Sequence, residues 1–216
     1  MRVMVFGDSN SWGTPPDGTG LRMGADVRWP QVMAARLGCT LVEEALPGRT
    51  TVHDDPDMLG PAMNGLRHLP VALLSNAPLD LVLIMLGTND CKARFDPDAA
   101  KIAANLGRLV ETLRATGAGR GPWSEAPAPG VALITPMPLG PRADDPAWAR
   151  HDEWRGGRAA SKGLADALAA FGRREDVPVL DAGTIVRTSD DDPIHMDPAA
   201  HRALGAACAD WLEKGP

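Results

Sequence analysis

Leu79-Asp80-Leu81-Val82-Leu83-Ile84-Met85-Leu86 runs directly into Gly87-Thr88-Asn89-Asp90. The octet is apolar at every position but Asp80, is short for a buried helix, and is closed by a glycine. That pattern predicts a strand buried on both faces, the kind found in parallel sheets covered by helices. Reading outward, the chain alternates. Val3–Phe6, Thr40–Ala45, Val131–Thr135 and Val177–Asp181 supply four more short strands. Helical patterns cover Trp29–Leu37, Leu66–Ser75, Asp98–Thr116, Arg158–Arg173 and Pro198–Leu212. In Asp98–Thr116, residues Ile102, Leu106, Leu109, Val110 and Leu113 recur every three or four positions and mark one apolar face. Asp197 before Pro198 predicts an N-cap with proline at the first helical position. The expected fold is α/β: a single three-layer domain over residues 1–216, with a five-stranded parallel sheet between helices.

Composition narrows the functions available. The 216 residues are 44% hydrophobic and 23% charged, which excludes wholesale disorder. Lys+Arg 22 against Asp+Glu 28 gives a net charge of −6, with no basic stripe to meet a phosphate backbone, so nucleic acid is not an expected partner. No apolar run approaches the ~18–20 residues that span a bilayer, so no membrane partner is expected. Gly7-Asp8 cuts the amino-terminal apolar run too short for a signal peptide. The cysteines Cys39, Cys91 and Cys208 are odd in number and lack close pairing, so neither a disulfide framework nor a metal site is expected. A cytoplasmic location fits these features.

Ligands of such sheets bind beyond the carboxyl ends of the strands, so the residues after each strand matter most. They are Gly7-Asp8-Ser9-Asn10, Leu46-Pro47-Gly48-Arg49-Thr50-Thr51, Gly87-Thr88-Asn89-Asp90 and Asp190-Asp191-Asp192-Pro193-Ile194-His195. All four clusters are expected at one rim. A serine becomes nucleophilic when a histidine takes its proton and a carboxylate orients that histidine. Ser9, His195 and Asp192 are the candidates. Acyl transfer also needs donors aimed at the developing oxyanion. Candidates are the backbone N–H groups of Ser9 and Gly48 and the side-chain amide of Asn89. Singly, each of these residues reads as an ordinary turn residue. Together they fill every role of an acyl-transfer site.

In this order, the four clusters resemble the sequence blocks of the SGNH, or GDSL-type, hydrolase family, and they span residues 7–195. Gly7-Asp8-Ser9-Asn10-Ser11-Trp12-Gly13, Val27-Arg28-Trp29, Glu43-Glu44 with Gly48-Arg49-Thr50-Thr51, and Ile84 to Asp90 resemble a narrower branch. That branch comprises bacterial arylesterases with acyltransferase and perhydrolase side activity. The resemblance implies a flavodoxin-like sheet, a Ser9–His195–Asp192 triad, and an oxyanion hole from Ser9, Gly48 and Asn89. It also implies short acyl esters as small-molecule substrates and no metal or other cofactor. The branch often has alanine where this chain has Gly48. A carbohydrate O-deacetylase would use the same residues, and a non-catalytic binding module on a hydrolase scaffold is the reading from another class.

Beside the nucleophile and the histidine, Asn10, Trp12 and Ile194 are candidate substrate-pocket residues. The Asp54-Asp55-Pro56-Asp57 run reads as a solvated loop, His201 as a surface residue, and Cys91 as a small filler. Gly117-Ala118-Gly119-Arg120-Gly121 follows a helix, which argues against a nucleotide loop. Loops after the first, second and fourth strands carry Trp12, Met23, Met58, Leu59, Met63, Trp148 and Trp154. Their exposure in a monomer would leave an apolar patch, so a homo-oligomer, a tetramer or larger, is expected.

Overall fold

The computed structural model describes residues 1–117 and 127–215. Strands β1 (Arg2–Gly7), β2 (Thr40–Ala45), β3 (Leu81–Met85), β4 (Gly130–Thr135) and β5 (Val179–Asp181) form one sheet in the order β2-β1-β3-β4-β5. Every neighbouring pair is parallel, with Val3 opposite both Leu41 and Leu81. This is the flavodoxin-like order, and the sequence of strands across the sheet reverses between β1 and β3.

The period-two alternation of a strand sends successive side chains to opposite faces. Val3, Val5, Leu83, Met85 and Ile134 pack with helices α2 (Trp29–Leu37) and α7 (Pro198–Glu213). Met4, Phe6, Val82, Ile84 and Leu133 pack with α3 (Gly65–Asn76), α4 (Ala99–Thr116) and α6 (Gly157–Glu175). All side chains of Val82–Met85 are fully buried. Burying each such aliphatic chain is worth about 1.5–3 kcal/mol, which makes β3 the spine of the fold. The predicted octet pairs only from Leu81 to Met85, and Leu79 and Leu86 flank it as buried residues.

The helix ends follow their sequence signals. Asp98 Oδ1 accepts from Lys101 N at 2.8 Å, and Asp197 Oδ1 from Ala200 N at 2.7 Å, capping α4 and α7. Gly117 closes α4 in the left-handed conformation, while the rest of the Gly117–Gly121 run lies outside the described residues. Two helical turns escape the periodicity because each is only four residues long: α1 (Ser9–Trp12) and α5 (His151–Trp154). Among the described residues no helix is long and apolar enough to cross a membrane.

Three expectations from sequence are corrected. His201 is fully buried: it shares the α7 face of Leu204, Gly205 and Cys208 that packs on α2, and its Nδ1 accepts from Trp29 N at 3.4 Å. Burial lowers its pKa to about 4, which keeps the imidazole neutral. Asp55 is not solvated but fully buried, because Lys92 Nζ at 2.7 Å and Arg94 Nη1 at 2.5 Å neutralise it. Met63 and Trp154 add nothing to an exposed patch, since both are packed inside; Leu21, Met58 and Leu59 remain exposed.

Candidate active site

The Gly7–Ser9 junction turns the end of β1 into α1. Asp8 opens that turn by accepting from Asn10 N at 2.9 Å, and Gly13 ends it with φ +92°. As the first residue of α1, Ser9 has no acceptor for its N–H within the helix. Its hydroxyl lies 3.0 Å from His195 Nε2, and His195 Nδ1 lies 2.6 Å from Asp192 Oδ2. The other Asp192 oxygen accepts from Ile194 N at 2.8 Å, so one carboxylate shapes the loop and faces the imidazole. Burial works to raise the Asp192 pKa, but the hydrogen bonds and charge of His195 outweigh it and hold the carboxyl below its ordinary value. This arrangement can hold the histidine proton on Nδ1 and leave Nε2 free to take one from Ser9.

On the other side of Ser9, Leu46-Pro47-Gly48-Arg49 forms a tight turn closed by Arg49 N donating to Leu46 O at 3.0 Å. Gly48 has φ +88°, the value that the third position of a type II turn demands and that side chains resist. Asn89 Nδ2 donates to Arg49 O at 3.1 Å, which uses one of its two N–H groups and leaves the other available. The turn is held from beneath by two buried groups. Arg49 donates to the carbonyls of Gly7 (3.2 Å) and Glu44 and stacks over Phe6, its centre 4.3 Å from the ring. Asp90 accepts from Thr51 N at 2.9 Å and from Thr51 Oγ1. Burial raises the pKa of Asp90 although those bonds oppose it.

Ser9, Gly48, Asn89, Ile194 and His195 thus line one cleft of about 270 Å³, with Pro47, Met58, Lys92 and Trp154 among its other walls. It opens at the switch between β1 and β3, where a crevice is expected in this topology. A larger groove of about 850 Å³ lies between α7 and the loop after β5, but it contains no paired nucleophile and base. Ile194 is in the cleft wall as expected. Asn10 and Trp12 are not. Asn10 is fully buried and binds the histidine loop at both ends, donating to Ile194 O (3.1 Å) and accepting from Met196 N (3.3 Å). Trp12 instead lies under the guanidinium of Arg22, at 5.2 Å.

Lys92, Arg150 and Glu153 are wall residues that the sequence did not reveal, while Met58 and Trp154 were legible only as apolar residues of rim loops. Lys92 was legible only as the charge after Cys91, Arg150 and Glu153 lie in or beside the four-residue turn α5, and Met58 lies in the loop after β2. Among the described residues no three His, Cys, Asp or Glu side chains are grouped so as to hold a metal ion. Cys91 is buried beneath the site, and burial pushes its thiol pKa up, away from reactive thiolate.

A doubly wound parallel sheet that gathers serine, glycine, asparagine and histidine at its carboxyl rim defines a hydrolase of the SGNH class. The chain belongs to the GDSL-like lipase/acylhydrolase family, whose model matches residues 5–203. It is similar to a carbohydrate acetylesterase from Sinorhizobium meliloti, at 38% identity and TM-score 0.90, covering 99% of this chain and 98% of that one. An aryl esterase from M. smegmatis is also 38% identical, with TM-score 0.89 and the same coverage. A further carbohydrate acetylesterase family member from S. meliloti is 31% identical, with TM-score 0.87, covering 99% of this chain and 97% of that one. Comparison with curated protein sequences gives no match.

Proposed function

We propose that this acylhydrolase is a serine esterase of short-chain acyl esters, aryl or alkyl, working through an acyl-enzyme. The observation that carries the reading is the unbroken hydrogen-bond chain from Ser9 through His195 to Asp192 at the floor of a small cleft. As Ser9 Oγ bonds to the ester carbonyl carbon, its proton passes to His195 Nε2. The carbonyl oxygen takes the negative charge and is held by the N–H groups of Ser9, Gly48 and Asn89. Collapse breaks the bond to the leaving oxygen, which receives the proton from His195. Water, or an alcohol or peroxide, then attacks the acyl-Ser9 carbonyl carbon as His195 takes its proton, and the bond to Ser9 Oγ breaks as His195 returns that proton to it. No cofactor takes part. A fluorophosphonate probe should label Ser9, and aryl acetates should be turned over; an unlabelled, inactive protein would overturn the reading.

Arg150 and Glu153, paired at 2.9 Å in the same cleft wall, favour a second reading. A charged pair beside an ester site suits a polyhydroxylated leaving group, as in an acetylated sugar. Turnover of a peracetylated sugar well above that of phenyl acetate would select this reading.

Asn89→Ala should lower kcat by on the order of 10²–10³, since one oxyanion donor carries that much. KM should change little, because the bond strengthens as charge develops. A rise in KM alone would make Asn89 a substrate-binding residue instead.

Assembly belongs to the same proposal. Leu21 and Leu59 are 72% and 67% exposed on the loops after β1 and β2, and burying them between copies would remove apolar surface from water. We expect a homo-oligomer, a tetramer or larger. Sedimentation at micromolar concentration giving only a 22.8 kDa species would overturn this.

A further inference from the structure

Met58 lines the cleft and reaches the oxyanion glycine. A Cβ built on Gly48 would lie 2.4 Å from both Sδ and Cε of Met58, so the thioether occupies space that any side chain at position 48 would need. The chain holds Met58 there from two directions. Its loop closes on itself: Asp55 and Gly60 exchange backbone hydrogen bonds (3.2 and 2.8 Å), and Met58 N donates to Asp55 O at 3.1 Å. The Asp55 carboxylate is then fixed by Lys92 and Arg94, which directly follow Asn89 and its short turn. Lys92 Nζ also points at Met58 Sδ, at 3.4 Å. One buried ionic cluster therefore joins the segment bearing Asn89 to the loop that carries Met58.

Three substituents leave the reacting carbon, and two have fixed destinations. The oxyanion goes to the donors of Ser9, Gly48 and Asn89. The leaving oxygen must face His195 Nε2 to receive its proton. The acyl chain is left to the remaining walls, on which Pro47 and Met58 are the apolar cleft residues beside Gly48. We propose that Met58 is the specificity-determining residue that limits the length of the acyl group, closing the cleft beyond a few carbons. This rests on the acyl-enzyme reading of the same cleft.

The test compares kcat/KM for p-nitrophenyl acetate, butyrate and hexanoate in the wild type, Met58→Ala and Met58→Leu. Met58 is 44% exposed, so neither change empties the core. A methylene in an apolar pocket is worth roughly 10–200-fold in specificity. Met58→Ala should therefore raise the hexanoate-to-acetate ratio of kcat/KM at least about tenfold. Met58→Leu, which restores the bulk, should return the ratio close to that of the wild type. An unchanged ratio in Met58→Ala, an equal fall for all three esters, or a shift as large with leucine would overturn the assignment. Failure of the wild type to hydrolyse even the acetate would instead overturn the esterase reading itself.

Discussion

Ser9→Ala should lower kcat for an aryl acetate by roughly 10⁵–10⁶-fold, the scale at which loss of an activated serine is felt. Among the described residues, the hydroxyl is the only group in the cleft placed 3.0 Å from a histidine nitrogen that a carboxylate orients. Alanine leaves the oxyanion donors in place but supplies no atom to form the acyl-enzyme. The residual rate should be that of water attacking a bound, polarised ester. Stability should survive, since Ser9 secures the local backbone through its carbonyl, which accepts from Gly13 N at 2.9 Å and Thr14 N at 3.0 Å. Among the described residues the hydroxyl has no hydrogen-bond partner other than His195. The checks are steady-state kinetics, loss of fluorophosphonate labelling, and a melting temperature within a few degrees of the wild type. Turnover within tenfold of the wild type would remove Ser9 from the mechanism.

How far the sequence could be read depended on whether the signal was local. β3 was legible because seven apolar side chains in the eight residues Leu79–Leu86 can be satisfied only by burial on two faces. The capping aspartate Asp197 was legible because a cap acts within three residues, whereas Asp98, read as the first residue of its helix, proves to be the cap. The four rim clusters were legible because topology sends the end of every parallel strand to the same edge. What sequence could not convey were partnerships across loops. Asp55 and Lys92 are 37 positions apart, and an aspartate between Asp54 and Pro56 looks solvated until its two cations are found. Asn10 sits beside the nucleophile in sequence, yet its amide reaches 184 positions along the chain to Ile194. Adjacency to a catalytic position therefore said little about facing the substrate. His201 was different, for its spacing of three and four to Leu204 and Gly205 already marked the buried face of α7.

The same distinction explains why the Gly48–Asn89 side of the cleft is built more heavily than the histidine side. Asp192 and His195 are three residues apart, and one turn suffices to join them. Gly48 and Asn89 come from different strands, so their relative position must be fixed by third parties. Arg49, Thr51 and Asp90 do this under the turn, and the Asp55–Lys92–Arg94 cluster does it from the side. Buried ion pairs are poor sources of stability, because desolvation offsets their attraction. Their value here is positional, in holding the glycine turn and the asparagine segment in register beside Ser9.

Asp192→Asn should lower kcat by about 10⁴-fold while leaving the cleft intact, because it reverses the histidine tautomer. In the native protein Asp192 Oδ1 accepts from Ile194 N at 2.8 Å, and Oδ2 faces His195 Nδ1 at 2.6 Å. An asparagine keeps the first bond by leaving its oxygen toward Ile194. Its amide nitrogen then faces Nδ1 as a donor. The imidazole answers by accepting at Nδ1 and carrying its proton on Nε2, which now points a hydrogen at Ser9 Oγ and cannot take one. KM should change little, since the carboxylate lies behind the histidine and away from the ester. The variant also carries a pH signature. Burial alone would raise the Asp192 pKa, but His195 holds it below its ordinary value, so the folded protein binds this proton less readily than the unfolded chain. The pair therefore contributes stability above the carboxylate range and loses it as pH falls through the folded pKa. The melting-temperature gap between wild type and Asp192→Asn should be widest near neutrality and shrink toward pH 3. A kcat within tenfold of the wild type, or a stability gap that grows in acid, would show that Asp192 neither orients His195 nor is charged beside it.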